Sequence, residues 1–179
     1  MQPVYFSVMP SPVGPLTLRW SGTALTGLSF DGVTIRTQRR DWSLDDAGLA
    51  PVRSQLEEYF RGARRTFDIP LEFSGTPFQR LVWQALLEIP FGTATSYGEL
   101  ALRVGRPKWP GAKEVGAALN QNPIAVIAPC HRVIGADGSL TGFGGGLDRK
   151  RWLLTHEGCA TSPTNVAQPS LPFFDRPDR

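Results

Sequence analysis

Cysteine and histidine are scarce in this chain, which has two of each among 179 residues. Two cysteines are too few for the disulfide framework that stabilises small secreted domains, and a reducing compartment would keep both thiols free. The spacing of Cys130, Cys159, His131 and His156 contains neither the CxxC nor the HxxxH pairing that is typical of zinc sites. The sequence therefore predicts no disulfide framework and no metal ion.

Long apolar runs are also missing. No stretch approaches the roughly 20 apolar residues that a helix needs to cross a bilayer, and Met1–Val4 lacks the basic start and apolar run of a secretion signal. The hydrophobic content of 41% and the charged content of 20% are typical of a soluble globular protein. We therefore expect a cytoplasmic protein with no membrane partner.

Positive charge is concentrated in the second half of the chain. Residues 76–158 carry nine Lys or Arg against six Asp or Glu, whereas residues 1–75 carry eight of each. Four of the cations lie within eleven residues: Arg103, Arg106, Lys108 and Lys113. This cluster is either a surface that binds phosphates or an ordinary solvated face.

The first half of the chain has the pattern of a small α/β module. Short strand-like runs separated by turn residues predict a three-stranded antiparallel meander over Val4–Met9, Leu16–Ser21 and Ala24–Phe30. Apolar residues at helical spacing predict a helix over Pro51–Ala63, and the alternating apolar residues of 67–73 predict one more extended segment. Since nothing here carries chemistry, we expect residues 1–75 to be a scaffold domain.

The second half begins with a predicted helix. Thr76, Pro77 and Gln79 form a capping-box pattern ahead of an apolar stripe that ends at Pro90. A second capping box, Ser96 with Glu99, predicts a short helix over Tyr97–Val104, and a third helix is predicted over Ala112–Asn120. Two short helices joined by a basic linker are typical of a helix-turn-helix, which presents its second helix to DNA.

A candidate nucleophile follows the third helix in the motif Pro129-Cys130-His131-Arg132. The thiolate is the reactive form of cysteine, and His131 is placed to take its proton, directly or through a water, while Glu157 holds the imidazole. The alternative is that Cys130 is a small buried apolar residue. A cysteine hydrolase is a further alternative, but such enzymes draw their base from a distant part of the chain.

The stretch from Asn122 to Ile134 (NPIAVIAPCHRVI) resembles the active-site stretch of the O6-alkylguanine-DNA alkyltransferases, also called methylated-DNA–protein-cysteine methyltransferases. Two further blocks, residues 76–100 and 145–158, resemble the flanking blocks of this family in the same order. The resemblance covers residues 76–158 and implies a small N-terminal domain ahead of them.

The resemblance also implies roles for individual residues. Cys130 is the alkyl acceptor, His131 its base through a water, Glu157 the carboxylate that orients His131, and Asn122 the turn residue that leads to an active-site strand. Tyr97 is the tyrosine whose hydroxyl stabilises the departing guanine. The implied substrate pocket comprises Tyr97, Cys130, Val133, Phe143 and Gly144.

The family uses its recognition helix in the minor groove and flips the target nucleotide into the cysteine pocket. The small residues of the third helix suit either such a close approach to DNA or close helix packing. The expected DNA contacts are Ser96, Arg106, Lys108, Trp109, Lys113, Gly116, Ala117 and Ala118.

Three positions depart from the family pattern. Lys113 falls at the place of an intercalating arginine, and lysine cannot replace a planar guanidinium in stacking. The segment 108–111 looks like an insertion that exposes Trp109, which either stacks on a base or sugar or plugs the linker. Gly144 stands where many relatives carry a small hydroxyl residue, which predicts a wider pocket.

Together these observations predict an α/β (α+β) protein: an α/β scaffold domain over residues 1–75, a mostly helical DNA-binding and alkyl-acceptor domain over 76–158, and an extended or disordered tail over 159–179. The predicted activity is single, irreversible alkyl transfer from O6-alkylguanine in duplex DNA, with O4-alkylthymine as a lesser substrate, by a monomer without a cofactor. Alternatives are a lesion sensor, which would lack the acceptor cysteine, and a transcription regulator, which would carry an additional cysteine-rich zinc module.

Overall fold

The computed structural model describes residues 3–30 and 41–159. Its first half contains a four-stranded sheet. Strands β1 (Val4–Met9), β2 (Leu16–Trp20) and β3 (Leu25–Ser29) form the predicted antiparallel meander, which is confirmed. A short strand that the sequence did not predict, β4 (Trp42–Leu44), pairs in parallel with β1, so that the strand order is β3-β2-β1-β4.

Helix α1 (Ala50–Phe60) contributes a buried face of Val52, Leu56 and Tyr59 to the core. The predicted extended segment over residues 67–73 does not form a regular strand. This segment makes one isolated bridge, from Leu71 to Leu25, and two backbone hydrogen bonds along β3. Pro70 has no N–H group to donate, which prevents a continuous ladder at this point.

The second half is mostly helical. The first capping box is confirmed: Thr76 Oγ1 accepts from the Gln79 N–H, and the Gln79 side chain accepts from the Thr76 N–H, at the start of α2 (Pro77–Leu86). At α3 (Tyr97–Arg103) the Ser96 hydroxyl accepts from the Glu99 N–H. The Glu99 carboxylate pairs with Lys108 at 2.6 Å.

Helix α4 (Lys108–Asn120) packs closely on α3, as expected for a helix-turn-helix. It starts before the predicted Ala112, but Trp109 interrupts it with extended backbone angles, and the peptide bond to Pro110 is cis. The regular helix therefore begins just after Trp109.

Cys130 lies between α4 and the last helix of the described residues. Cys130–Arg132 form a single 3-10 turn, which leads into β6 (Val133–Ile134) and then to α5 (Leu147–His156). Strand β6 pairs in parallel with β5 (Thr95–Ser96). This pairing places the start of α3, with Tyr97, beside the turn that carries Cys130.

One continuous core joins the two halves of the chain. The backbone of Leu28 in β3 donates to the carbonyl of Pro123 and accepts from the N–H of Ala125. The first half of the chain is therefore bonded directly to the segment that leads to Cys130. Within the described residues, no helix combines the length and apolar character needed to cross a membrane.

Candidate active site

The segment ahead of Cys130 was expected to be a strand, and this expectation is wrong. Residues 124–129 form consecutive turns, in which the Ala128 N–H bonds to the Ile124 carbonyl and the Cys130 N–H to the Ala128 carbonyl. Val126 has a φ of 69°, a region that β-branched residues rarely adopt. Its full burial compensates for this strain, and such strain is common beside functional groups.

Asn122 stabilises these turns through both ends of its side chain. Nδ2 donates to the Ala128 carbonyl at 2.8 Å, and Oδ1 accepts from the Ile124 N–H at 3.1 Å. Replacing this amide would release both ends of the turn segment. Asn122 thus lies at the predicted junction between α4 and the active-site segment.

Cys130 is 7% exposed and lies at one wall of a small cavity. Burial raises the pKa of its thiol, and the Asn122 amide, the Lys150 ammonium and the backbone N–H groups of Cys130 and His131 oppose this rise. The resting thiol is therefore protonated at neutral pH. A thiolate forms only when a nearby base accepts the proton. The Asn122 amide, the Lys150 ammonium and the two backbone N–H groups then stabilise the thiolate.

His131 is fully buried and bonded to Glu157, with Nε2 and Oε1 2.7 Å apart. Burial lowers the pKa of the imidazole below its ordinary value, although the Glu157 hydrogen bond and charge act in the opposite direction. The other ring nitrogen, Nδ1, is buried and has no hydrogen-bond partner among residues 3–30 and 41–159. A neutral imidazole that donates from Nε2 to the carboxylate keeps Nδ1 as a free acceptor.

Within the part of the chain that the structure describes, Glu157 accepts five hydrogen bonds. Arg132 binds both of its oxygens, with Nε 2.7 Å from Oε2 and Nη2 3.0 Å from Oε1, and the Tyr59 hydroxyl donates to Oε1 at 2.6 Å. His131 is the fourth donor, and the N–H of Gly92 binds more weakly, 3.5 Å from Oε2. Burial opposes the charge, but the hydrogen bonds of His131 and Arg132 hold the pKa of Glu157 well below its ordinary value. The carboxylate is therefore ionised throughout the physiological pH range.

The cavity beside Cys130 has a volume of about 140 Å³. Phe143 and Gly144 line it, as predicted, whereas Tyr97 and Val133 do not. The rest of the wall comes from the end of β3 and Phe30, from the end of α4 and the turns after it, and from the start of α5 and the loop before it: Leu28, Ser29, Phe30, Leu119, Asn120, Asn122, Ala125, Gly145 and Arg149.

Tyr97 and Val133 are instead held by polar contacts behind the cavity. The Tyr97 hydroxyl donates to the carbonyls of Thr141 at 2.9 Å and Gly142 at 3.3 Å. Lys150 Nζ donates to the Val133 carbonyl at 2.6 Å and to the Thr141 carbonyl at 2.8 Å. Burial lowers the pKa of this lysine to about 8.

Most of the predicted DNA-contact residues lie on the exposed side of α4 or in the linker before it. Trp109 is 75% exposed, Lys113 and Ala117 are exposed, and Gly116 is half-buried against the Tyr97 ring. Two of the cations are paired on the surface, Arg106 with Glu114 at 3.4 Å and Lys108 with Glu99.

The prediction that Ala118 contacts DNA is wrong. Ala118 is 3% exposed, and its carbonyl accepts a hydrogen bond from Trp83 Nε1 at 2.9 Å. Ala118 therefore packs α4 against α2. This is close helix packing, the alternative to a close approach to DNA.

Three residues of the site had no assigned role in the sequence prediction. Tyr59 belongs to the presumed scaffold, Lys150 looks like one of several surface cations on α5, and the partner of Arg132 was left open. No motif or spacing distinguishes Tyr59 or Lys150. Among the described residues, no group of three or more His, Cys, Asp or Glu side chains is placed to hold a metal ion.

Comparison with known proteins identifies two family models that together match most of the chain. Residues 4–73 match the ribonuclease-like domain of 6-O-methylguanine DNA methyltransferase, and residues 77–159 match its DNA-binding domain.

Individual relatives match over nearly their whole length. A methylated-DNA–protein-cysteine methyltransferase of Mycobacterium leprae is 50% identical over 83% of this chain and 89% of its own, and one of Mycobacterium bovis is 47% identical over 86% and 92%. The crystal structure of Mycobacterium tuberculosis O6-methylguanine methyltransferase superposes with a TM-score of 0.80 at 46% identity, covering 90% of this chain and 96% of that one. A structure of a M. tuberculosis relative in complex with DNA has a TM-score of 0.79 at 47% identity, covering 86% and 92%. This chain therefore belongs to the methylated-DNA–protein-cysteine methyltransferase family.

Proposed function

We propose that this protein repairs alkylated duplex DNA by transferring the alkyl group of O6-alkylguanine to Cys130, once per molecule. The observation that carries the proposal is the arrangement around Cys130. The thiol lies at the wall of a cavity, and the next residue is a buried histidine with one nitrogen bound to Glu157 and the other free to accept a proton. O4-alkylthymine, whose alkylated oxygen is chemically similar, is the proposed lesser substrate.

The proposed reaction is a displacement at the alkyl carbon. His131 Nδ1 takes the Cys130 proton through a water, the thiolate attacks the carbon, and the carbon–oxygen bond breaks with its electron pair on the guanine. The guanine then regains a proton, supplied by the imidazolium or by the Tyr97 hydroxyl. The product is an S-alkylcysteine thioether. Water does not readily displace a thioether, so we expect no turnover and no cofactor.

The proposed DNA surface consists of the exposed side of α4, the linker before it and the residue that caps α3. It comprises the predicted set without the buried Ala118: Ser96, Arg106, Lys108, Trp109, Lys113, Gly116 and Ala117. Cations with exposed ends suit phosphate contacts, and the small residues suit a close approach in the minor groove. In this arrangement the alkylated nucleotide leaves the stack to reach the cavity, and either Lys113 or Trp109 takes the place of the base.

We further propose that residues 1–75 and 76–158 are the two domains, and that the protein acts as a monomer in the cytoplasm. Both described cysteines are free thiols, which suits a reducing compartment.

The activity is tested by the intact mass of the protein after incubation with a duplex that contains one O6-methylguanine. We expect a stoichiometric gain of one methyl group in place of one hydrogen, which peptide mapping assigns to Cys130. Tight binding to the lesion without any gain in mass would instead identify a lesion sensor and would contradict the proposal.

The glycine at position 144 leads to a prediction about the size of the alkyl group. A Cβ at Gly144 would meet one heavy atom within 4 Å, the Asn120 carbonyl oxygen at 3.9 Å, so a serine fits beside the cavity. We expect Gly144→Ser to slow transfer of a benzyl group by about tenfold, the effect of a lost apolar contact of ~1.4 kcal/mol, while methyl transfer changes little. The measurement is the ratio of the two single-turnover rate constants, and an unchanged ratio would show that Gly144 does not set the pocket width.

A further inference from the structure

Tyr59 connects the first half of the chain directly to the active-site carboxylate. Its hydroxyl donates to Glu157 Oε1 at 2.6 Å, although the two residues are 98 positions apart in the sequence. Both side chains are buried. A hydrogen bond to an ionised, buried carboxylate is among the stronger contacts in a protein interior.

The position of this hydroxyl is fixed by the packing of its own ring. Phe60, Phe67, Phe91 and His156 contact the Tyr59 ring, with centroid distances of 5.2 to 6.1 Å. The Tyr59 carbonyl also forms a hydrogen bond with His156 Nε2 at 2.7 Å. The phenol is therefore a preorganised donor.

Tyr59 and His131 share one oxygen of the carboxylate. Oε1 receives the Tyr59 hydroxyl at 2.6 Å, His131 Nε2 at 2.7 Å and Arg132 Nη2 at 3.0 Å. A carboxylate oxygen has about two lone-pair sites, so three donors compete for it. Each donor therefore reduces the charge that the oxygen offers to the other two.

We propose that Tyr59 is a positioning residue for alkyl transfer, which limits the pull of Glu157 on His131 and so keeps the imidazole neutral and able to accept the Cys130 proton. This inference rests on the proposed function, because a neutral His131 matters only if Cys130 must lose a proton. It gives the N-terminal module a direct part in the chemistry, beyond that of a scaffold.

Among the described residues, the charged neighbours of this pair act on the same balance, and the titratable Cys159 thiol stays neutral. Arg132 holds Glu157 ionised from the 3-10 turn, and Lys150 on α5 disfavours a charged His131. Beyond α5, Cys159 faces both Tyr59 and Glu157, and its thiol stays protonated because burial raises its pKa to about 11. Burial and the neighbouring Glu157 also raise the pKa of Tyr59 well above its ordinary value, so that it remains a donor.

The test is Tyr59→Phe, which keeps the ring and removes the hydroxyl. Without this donor Glu157 binds the imidazole more strongly, and we expect the pKa of His131 to rise by about half to one unit. The chain contains two histidines, His131 and His156, so nitrogen NMR of the rings resolves both, with His156→Gln for assignment. At about pH 6, we expect a larger protonated fraction of His131 in Tyr59→Phe than in the wild type. The proposal would be overturned if the protonated fraction of His131 were the same in both proteins, including zero in both, or smaller in Tyr59→Phe.

The transfer rate gives a second, independent readout. The acid limb of the pH–rate profile should move upward by the same half to one unit, which lowers the rate about three- to tenfold on that limb and leaves the alkaline plateau nearly unchanged. A purely structural role would lower the rate equally at every pH.

The matched control is Thr17→Val, which removes a buried hydroxyl from the same half of the chain, far in sequence from the site. We expect this variant to leave the profile in place, and a shift like that of Tyr59→Phe would overturn the proposal. If the wild-type protein transfers no alkyl group, the proposed function fails, whereas the NMR comparison still decides the inference about Tyr59.

Discussion

Cys130→Ser is expected to abolish alkyl transfer while the protein still binds the lesion. A serine hydroxyl at this position has no thiolate-like form at neutral pH, so we expect the single-turnover rate constant to fall by at least about a thousandfold. The Asn122 amide and the backbone N–H groups that oppose the rise in the Cys130 pKa are also able to bind a hydroxyl oxygen. The variant should therefore fold, and binding of a duplex with O6-methylguanine should change little.

The second cysteine provides the control for this prediction. Cys159 is also buried, but it does not line the cavity, and burial raises the pKa of its thiol to about 11. Cys159→Ser should transfer the alkyl group at the wild-type rate and to the same stoichiometry. Residual transfer in Cys130→Ser, with the label mapped to Cys159, would show that Cys130 is not the acceptor.

Glu157→Gln is expected to reduce both stability and rate. The neutral amide has one acceptor oxygen and turns an NH₂ group toward donors, so Arg132 and His131 compete for a single acceptor in a buried site. Breaking a buried ion pair by removing one partner costs about 3–5 kcal/mol, which urea unfolding would measure as a lower midpoint. Because His131 also loses its orienting charge, we expect alkyl transfer to slow by on the order of a hundredfold.

An exposed ion pair on α4 provides the matched control. Glu114 pairs with Arg106 at 3.4 Å, and both side chains are about half exposed. Glu114→Gln makes the same chemical change at the surface and should cost less than about 1 kcal/mol of stability, with no change in the single-turnover rate constant at saturating DNA. A Glu157→Gln protein that is destabilised but transfers at the wild-type rate would restrict Glu157 to a structural role.

Local patterns were a sound guide to the helices and the meander. The capping box at Thr76, the apolar stripe of α2 and the turn residues between β1 and β2 are short-range features, and the structure has each of them where it was predicted. The motif around Cys130 likewise placed the acceptor candidate next to its base, since adjacent residues stay close in any fold.

Predictions that depended on the surroundings of a segment were less successful. Residues 67–73 alternate like a strand, but Pro70 interrupts the ladder beside β3. Ile124–Ala128 is apolar like a buried strand, but Asn122 ties it into turns. Ala118 has the small side chain expected at a DNA surface, yet the Trp83 indole binds its carbonyl. Pro70 and Asn122 lie within or beside the segments they affect, whereas the partner of Ala118 comes from another helix.

The residue types, their spacing and the family resemblance therefore singled out Cys130, His131 and Glu157 as the candidate site and α4 as the candidate DNA helix. Which groups meet at Glu157 was decided by the packing of α1 against the 3-10 turn and α5. Tyr59 reaches the carboxylate across 98 residues, and Lys150 turns inward from α5 to the carbonyls of Val133 and Thr141. No local periodicity in the sequence predicts such long-range contacts, because they depend on how separate elements pack to bury their apolar faces.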